Sequence, residues 1–181
     1  NGHSPFIATI FGMIAGFLAG CVTGILHTKG KINPLLSGIL MMIALYSINL
    51  RIMGGKSNLP LLNQETLFTQ LTAWWKALPI DDALNKMLAS LGVNHFPKTW
   101  VILFFGIVVA AIIKLFTDYF LKTEIGLAIR AIGDNKKMIR SFSANTDNLT
   151  ILGLGISNGL VALSGAFIAQ HGGFADVGMG I

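Results

Sequence analysis

From Pro5 to His27, roughly twenty apolar residues pass without a charged side chain, enough as a helix to cross a bilayer core about 30 Å thick. Three more apolar runs follow, at about 34–53, 99–120 and 149–170. Between them lie a long insertion, 54–98, and a polar, charge-dense segment, 122–148. Only 12% of the 181 residues are charged and 53% are hydrophobic, with mean hydropathy +0.69, whereas a soluble domain is typically about 25% charged. The expected fold is therefore all-α: a polytopic transmembrane helical bundle of about four spans, with 1–181 forming a single transmembrane region.

The first span carries Gly12, Gly16, Gly20 and Gly24, one every four residues, which aligns them in one stripe along a helix. Without Cβ atoms a second backbone can approach that stripe closely, so it predicts tight helix packing. Cys21, the single cysteine, excludes an intrachain disulfide and reads as a small packing residue. His27 reads as interfacial. The second span opens on Asn33-Pro34, and Pro34 suits a first helical turn. Polar residues at membrane depth usually face protein or water. Ser47 and Asn49 therefore either line a pathway or bond a neighbouring helix. Asn158, in the fourth span, is expected to be paired, by an interhelical hydrogen bond or by a solute.

In the insertion, Glu65–Leu78 and Asp82–Leu91 have helical apolar spacing, with Asp81 placed as an N-cap. Trp74 and Trp75 suit the headgroup zone. These segments predict interfacial helices that close one face, or a docking surface for a soluble partner. Lys114 and Asp118, four residues apart near the end of the third span, should pair weakly. The closing tract 172–180 is too glycine-rich for an ordinary helix and predicts re-entrant or interfacial backbone. The chain has no initiator Met and ends on apolar residues, so a piece of a longer protein is expected. The first run also lacks the basic leader of a cleavable signal peptide.

Segment 122–148 predicts a helix of about three turns, with Ile125, Ile129 and Ile132 on one face. Gly133-Asp134-Asn135 should stop it through the left-handed conformation that Gly and Asn tolerate. Loops 28–33 and 118–148 hold seven basic residues in 37 positions, against five in the 48 from Arg51 to Lys98. The denser side should be cytoplasmic. That places 122–148 in the cytosol and the insertion outside.

Several chemistries are not encoded. There is no G-x-x-x-x-G-K-[ST] sequence, so no P-loop ATP site is expected. Gly153-Leu154-Gly155 has no preceding strand and does not continue as a dinucleotide fingerprint. The four histidines are scattered, without metal-ligand spacing. No Ser or Cys stands in a nucleophile elbow, and intramembrane charges for a proton relay are missing. No catalytic, cofactor or metal residue is assigned, and an enzyme is not expected. The net charge of +5 fits a positive-inside bias and not nucleic-acid binding. An ion-coupled secondary carrier and a non-transporting membrane scaffold stay open as alternatives.

The run TEIGLAIRAIGDNKKMIRSFSANTDN from Thr123, the following LGISNGLVALSGAFIAQHGGFADVGMGI, and LYSINLRIMGG at Leu45–Gly55 resemble the branched-chain amino acid permease family. These are permease subunits of ATP-binding-cassette importers, with relatives for aromatic amino acids and sugars. The family's G-x-A-x-R-A-x-G-x-N pattern is matched by Gly126, Ala128, Arg130, Ala131, Gly133 and Asn135. The resemblance implies that this pattern forms a cytoplasmic coupling helix seated in a groove of a separate ATPase. Glu124, Ile125, Gly126, Leu127, Ile129, Arg130, Gly133 and Asn135 are then the coupling residues. It further implies a second permease chain, as a homodimer, an extracytoplasmic substrate-binding protein, lipid around the spans, and no cofactor. Family members are longer, with further spans at both ends. The implied location is a bacterial-type inner or plasma membrane, and the implied cargo is a small polar solute such as an amino acid.

Overall fold

The computed structural model describes residues 4–61, 66–76, 99–141 and 145–179. Among them are six helices: α1 (Pro5–Thr28), α2 (Pro34–Ile52), α3 (Leu67–Lys76), α4 (Thr99–Leu121), α5 (Glu124–Ser141) and α6 (Thr146–Gly172). Two short strands, β1 (Asn58–Pro60) and β2 (Phe174–Asp176), complete the described elements. Four helices are long and apolar enough to span a membrane: Pro5–Thr28, Pro34–Ile52, Ile102–Leu121 and Thr146–Gly172. Their contacts divide the chain into two compact units, one of residues 1–64 and 120–181, the other of 65–119.

In the first unit, α1 packs along α6 in antiparallel register. A Cβ built on Gly12 would meet that of Ala166 at 3.7 Å, an ordinary contact. One on Gly16 would collide with Ala162 Cβ and lie 2.7 Å from the Asn158 carbonyl oxygen. One on Gly24 would lie 2.7 Å from Ile151 Cα. The opposing helix also presents glycine. A Cβ on Gly155 would stand 2.7 Å from Cys21 Sγ and 3.0 Å from the Phe17 ring. Lipid tails are as apolar as leucine, so hydrophobic burial does not drive such a pair. Close dispersion contact and Cα–H···O bonds, each worth about 0.5–1 kcal/mol, do.

Several hydroxyls along the spans donate within their own helices, and Thr9 Oγ1 also accepts from Gln170 Nε2 of α6 at 2.8 Å. Thr9 donates to Pro5 O, Thr23 to Ala19 O, Thr28 to Gly24 O and Thr117 to Ile113 O, all at 2.8–2.9 Å. The α1–α2 turn is held by Ile32 N–H donating to Leu26 O and by His27 Nδ1 at 2.9 Å from Ile32 O. His27 therefore latches this turn. Lys31 there adopts φ 52°, unusual for a side-chain-bearing residue. Asn33 caps α2 by accepting from Leu35 N–H at 2.9 Å, and Pro34 occupies the first turn.

The closing tract leaves the helix, as its glycine content implies. Gly173, at φ 73°, ends α6 in the left-handed conformation, and its N–H donates to Ala169 O. The chain then extends as β2 against β1, with Asn58 facing Asp176, Leu59 facing Ala175 and Pro60 facing Phe174. Val177 N–H donates to Ser57 O and Leu61 N–H to Gly173 O. By parity Pro60 falls on a non-hydrogen-bonded pair, where its missing N–H leaves no ladder bond unmade. This ribbon places the ends of α2 and α6 together. The turn of α1 into α2, the start of α6 and α5 lie at the opposite end of the same unit.

The second unit contains α3 and α4. The Phe68 and Phe105 rings meet edge to face, 5.7 Å between centroids. Helix α3 occupies Leu67–Lys76 within the expected Glu65–Leu78. Thr66 and Thr69 cap its start reciprocally: Thr69 Oγ1 accepts from Thr66 N–H at 2.8 Å, and Thr66 Oγ1 accepts from Thr69 N–H at 3.3 Å. The expected Asp82–Leu91 helix and its Asp81 cap lie outside the described residues. Lys114 and Asp118 approach to 3.8 Å, both well exposed, so the pair contributes little.

Candidate functional site

Two features of the first unit bear on function: helix α5 with the corner that holds it, and a cavity between α1, α2 and α6. The corner is built by Thr123. Its hydroxyl donates to Phe120 O at 2.6 Å and accepts from Gly126 N–H at 3.2 Å, capping α5. Gly126 is buried against the end of α4: a Cβ there would collide with Phe120 O and lie 2.6 Å from Leu121 Cα. The α4-to-α5 turn is thus too tight for any side chain at 126.

Helix α5 does not end where its sequence implied. Gly133 stays helical, and Asn135 breaks the helix with φ −151° and ψ 89°, which is extended and not left-handed. Asn135 Oδ1 then accepts from Met138 N–H at 3.1 Å, so the asparagine opens a second helical stretch reaching Ser141. The breaker acts as an N-cap, because its short acceptor satisfies an N–H the new turn would leave free.

The coupling residues named from sequence divide between two faces. Ile129 packs onto α6, its Cγ2 meeting the space at Gly153 at 3.3 Å from a built Cβ. Ile132 is half-buried. Ile125 and Leu127 instead stand 49% and 54% exposed, and Glu124, Arg130, Gly133 and Asn135 are exposed beside them. A Cβ on Gly133 would meet nothing within 4 Å. The apolar face expected from Ile125, Ile129 and Ile132 is therefore split: the later two turn inward, while Leu127, off that spacing, joins Ile125 outside.

The cavity measures about 350 Å³. Its polar lining is Thr23 of α1, Tyr46 and Asn49 of α2, and Asn158 of α6. Met41, Met42 and Leu45 supply apolar wall, and Val177, just beyond β2, also reaches it. Of the three polar residues singled out from sequence, Asn49 and Asn158 meet here and Ser47 does not. Ser47 donates to Ile43 O of its own helix at 3.1 Å and projects elsewhere. Asn158 does not bridge to another helix as the sequence favoured; its Nδ2 donates to Leu154 O one turn back, at 2.9 Å. Asn158 Cβ lies against Gly20 in the α1–α6 seam, 2.8 Å from a Cβ built there. Tyr46 and Thr23 were not singled out as lining, and only their three-dimensional neighbourhood marks them.

Four helices long and apolar enough to cross a membrane, with a polar-lined cavity among three of them, fit a multi-pass membrane protein. The family model described as branched-chain amino acid transport system / permease component matches residues 1–181, and the chain belongs to that family. A tyrosine transport system permease protein of Clostridioides difficile is 46% identical over the whole chain, which covers 52% of that relative. An uncharacterized protein of Rickettsia prowazekii is 35% identical over 97% of the chain and 53% of its own length. An autoinducer 2 import system permease protein, LsrC, of Yersinia enterocolitica is 25% identical over 96% of the chain and 41% of its own length. The chain thus spans about half the length of the curated relatives it matches. No solved structure matches it.

Proposed function

We propose that this chain forms part of the translocation pathway of an ATP-binding-cassette importer for an amino acid, driven by a separate ATPase that docks on α5. One observation carries the reading: Ile125 and Leu127 lie exposed on a helix whose root is fixed by the Thr123–Gly126 corner. An apolar pair on a rigidly rooted polar helix is suited to transmit a push, because motion at its tip must move α4 and α6 with it. Arg130 and Glu124 would set the register of docking by charge. The orientation follows from the basic residues: α5 and the Lys29–Lys31 turn share one end of the unit, taken as cytosolic. A second permease chain, as a homodimer, and an extracytoplasmic binding protein complete the assembly. The tyrosine permease relative makes an aromatic amino acid the first solute to try.

The test is co-purification and labelling of the full-length protein. An ATP-hydrolysing subunit should co-purify. A membrane-impermeant thiol reagent should label Leu127→Cys, in a Cys21→Ser background, only from the cytosolic side. Labelling from outside, or purification without an ATPase, overturns the reading.

A further inference from the structure

We propose that residues 136–141, the stretch of α5 beyond the Asn135 break, form a docking surface for anionic lipid headgroups. The break separates this stretch from the part of the helix that carries Ile125 and Leu127. Asn135 is extended, at φ −151° and ψ 89°, and its Oδ1 caps the new turn at Met138 N–H. The stretch reads Lys136-Lys137-Met138-Ile139-Arg140-Ser141, and no acidic residue stands between 135 and 146. The earlier part of α5 is mixed in sign, with Glu124 and Arg130 both exposed. Mixed charge suits a groove with fixed partners, whereas a run of one sign suits the diffuse negative potential of an anionic leaflet.

Position puts this charge at the membrane surface. Ile129 of α5 packs onto Gly153, its Cγ2 3.3 Å from a Cβ built there, two turns into the apolar span α6. Helix α5 is therefore pinned beside the start of a span and is not held out in the aqueous phase. Beyond Arg140 only five residues precede the opening of α6 at Thr146. Fully extended, that connection reaches about 20 Å at most. The α1–α2 turn at the same end adds Lys29 and Lys31, both exposed and neither paired with a carboxylate among the described residues. Basic residues gathered beside span ends are each drawn to an anionic surface, and their attractions add. Met138, between Lys137 and Arg140 in sequence and 54% exposed, supplies the apolar contact that a basic stretch lays into the acyl boundary beneath the phosphates.

The test places an environment-sensitive fluorophore on Met138→Cys in the full-length protein, in a background free of other cysteines. The protein is reconstituted without ATPase into vesicles of phosphatidylcholine alone or of phosphatidylcholine with phosphatidylglycerol. Phosphatidylglycerol should raise the emission at least twofold and move it to shorter wavelength, and molar salt should reverse the change by screening. Lys136→Gln, Lys137→Gln and Arg140→Gln together should abolish the response. Lys136→Arg with Lys137→Arg, which keeps the charge, should retain it. Because this comparison contains no ATPase, its failure leaves the coupling role of Ile125 and Leu127 standing. Equal emission in the two vesicles, or an undiminished response in the triple glutamine variant, overturns the assignment. The same change produced in phosphatidylcholine vesicles by inorganic phosphate, marking a free-anion site, or by added ATPase, marking a protein contact, overturns it as well.

Discussion

Gly20 of α1 lies against the carbonyl oxygen of Leu154 of α6, closer than any residue bearing a Cβ could come. Asn158 Cβ and Gly155 Cα crowd the same point, at 2.8 and 2.9 Å from a built Cβ. The first and last described spans are therefore joined backbone to backbone, and the cavity wall formed by Ala19, Thr23 and Asn158 depends on that seam.

Substitution along the stripe should be sharply position-dependent. Gly20→Val and Gly16→Val force backbone apart and should cost about 1–3 kcal/mol or more, the range for overpacking a close-packed interior. Gly12→Ala meets only an ordinary contact and should be neutral or slightly stabilising, since Ala gains up to about 1 kcal/mol of helix propensity over Gly. Thermal unfolding in detergent checks both. Equal effects at positions 12 and 20 would contradict the seam.

The two glycines of α5 should behave oppositely. Gly126→Ala collides with Phe120 and Leu121 and should disturb the α4–α5 corner, lowering thermal stability. Gly133→Val points into open space and should leave the fold intact. If the exposed side of α5 docks an ATPase, Gly133→Val should nevertheless separate ATP hydrolysis from uptake. Unfolding curves together with coupled ATPase and uptake assays distinguish the two variants.

Asn135→Ala removes the acceptor that caps the stretch up to Ser141 and should destabilise it by about 1 kcal/mol. Amide hydrogen exchange at Met138 should then quicken about fivefold, as 1 kcal/mol implies where exchange follows local opening. Asn135→Asp, which keeps an acceptor, should restore protection. Equal exchange in all three proteins would remove the capping role.

The ribbon makes a covalent prediction. Asn58 and Asp176 face each other as a non-hydrogen-bonded pair, whose Cα atoms are about 4.5 Å apart in antiparallel ladders. That falls within the roughly 4.4–6.8 Å spanned by disulfides. Asn58→Cys with Asp176→Cys, in a Cys21→Ser background, should cross-link under mild oxidation, read as a mobility shift on a gel. Asn58→Cys with Phe174→Cys, out of register, should cross-link far less.

What could be seen in the sequence follows from which forces act locally. The spans were legible because bilayer thickness demands long charge-free runs, and the glycine stripe because a four-residue repeat maps onto one helix face. The Phe174–Asp176 strand was not, because its partner, Asn58–Pro60, lies more than a hundred residues earlier and neither segment has strand length of its own. Asn135 was recognised as a breaker, but a breaker and a cap share the same residue, and only the backbone dihedral tells them apart. Ile129 and Ile125 share a helical face by spacing; the position of α6 turns one inward and leaves the other free. The cavity joined Asn49 to Asn158 and passed Ser47 by: Met42, Leu45, Tyr46 and Asn49 share one face of α2 by helical spacing, and Ser47 lies off it.

In the proposed mechanism, force from a separate ATPase enters through the exposed side of α5. Full-length protein carrying Leu127→Asp should be reconstituted with that ATPase and assayed for ATP-driven amino acid uptake. Leu127 is half-exposed, so the variant should unfold at the wild-type temperature, yet uptake should fall at least tenfold with loss of ATPase binding. A correctly folded Leu127→Asp protein that binds the ATPase and transports at the wild-type rate would contradict it.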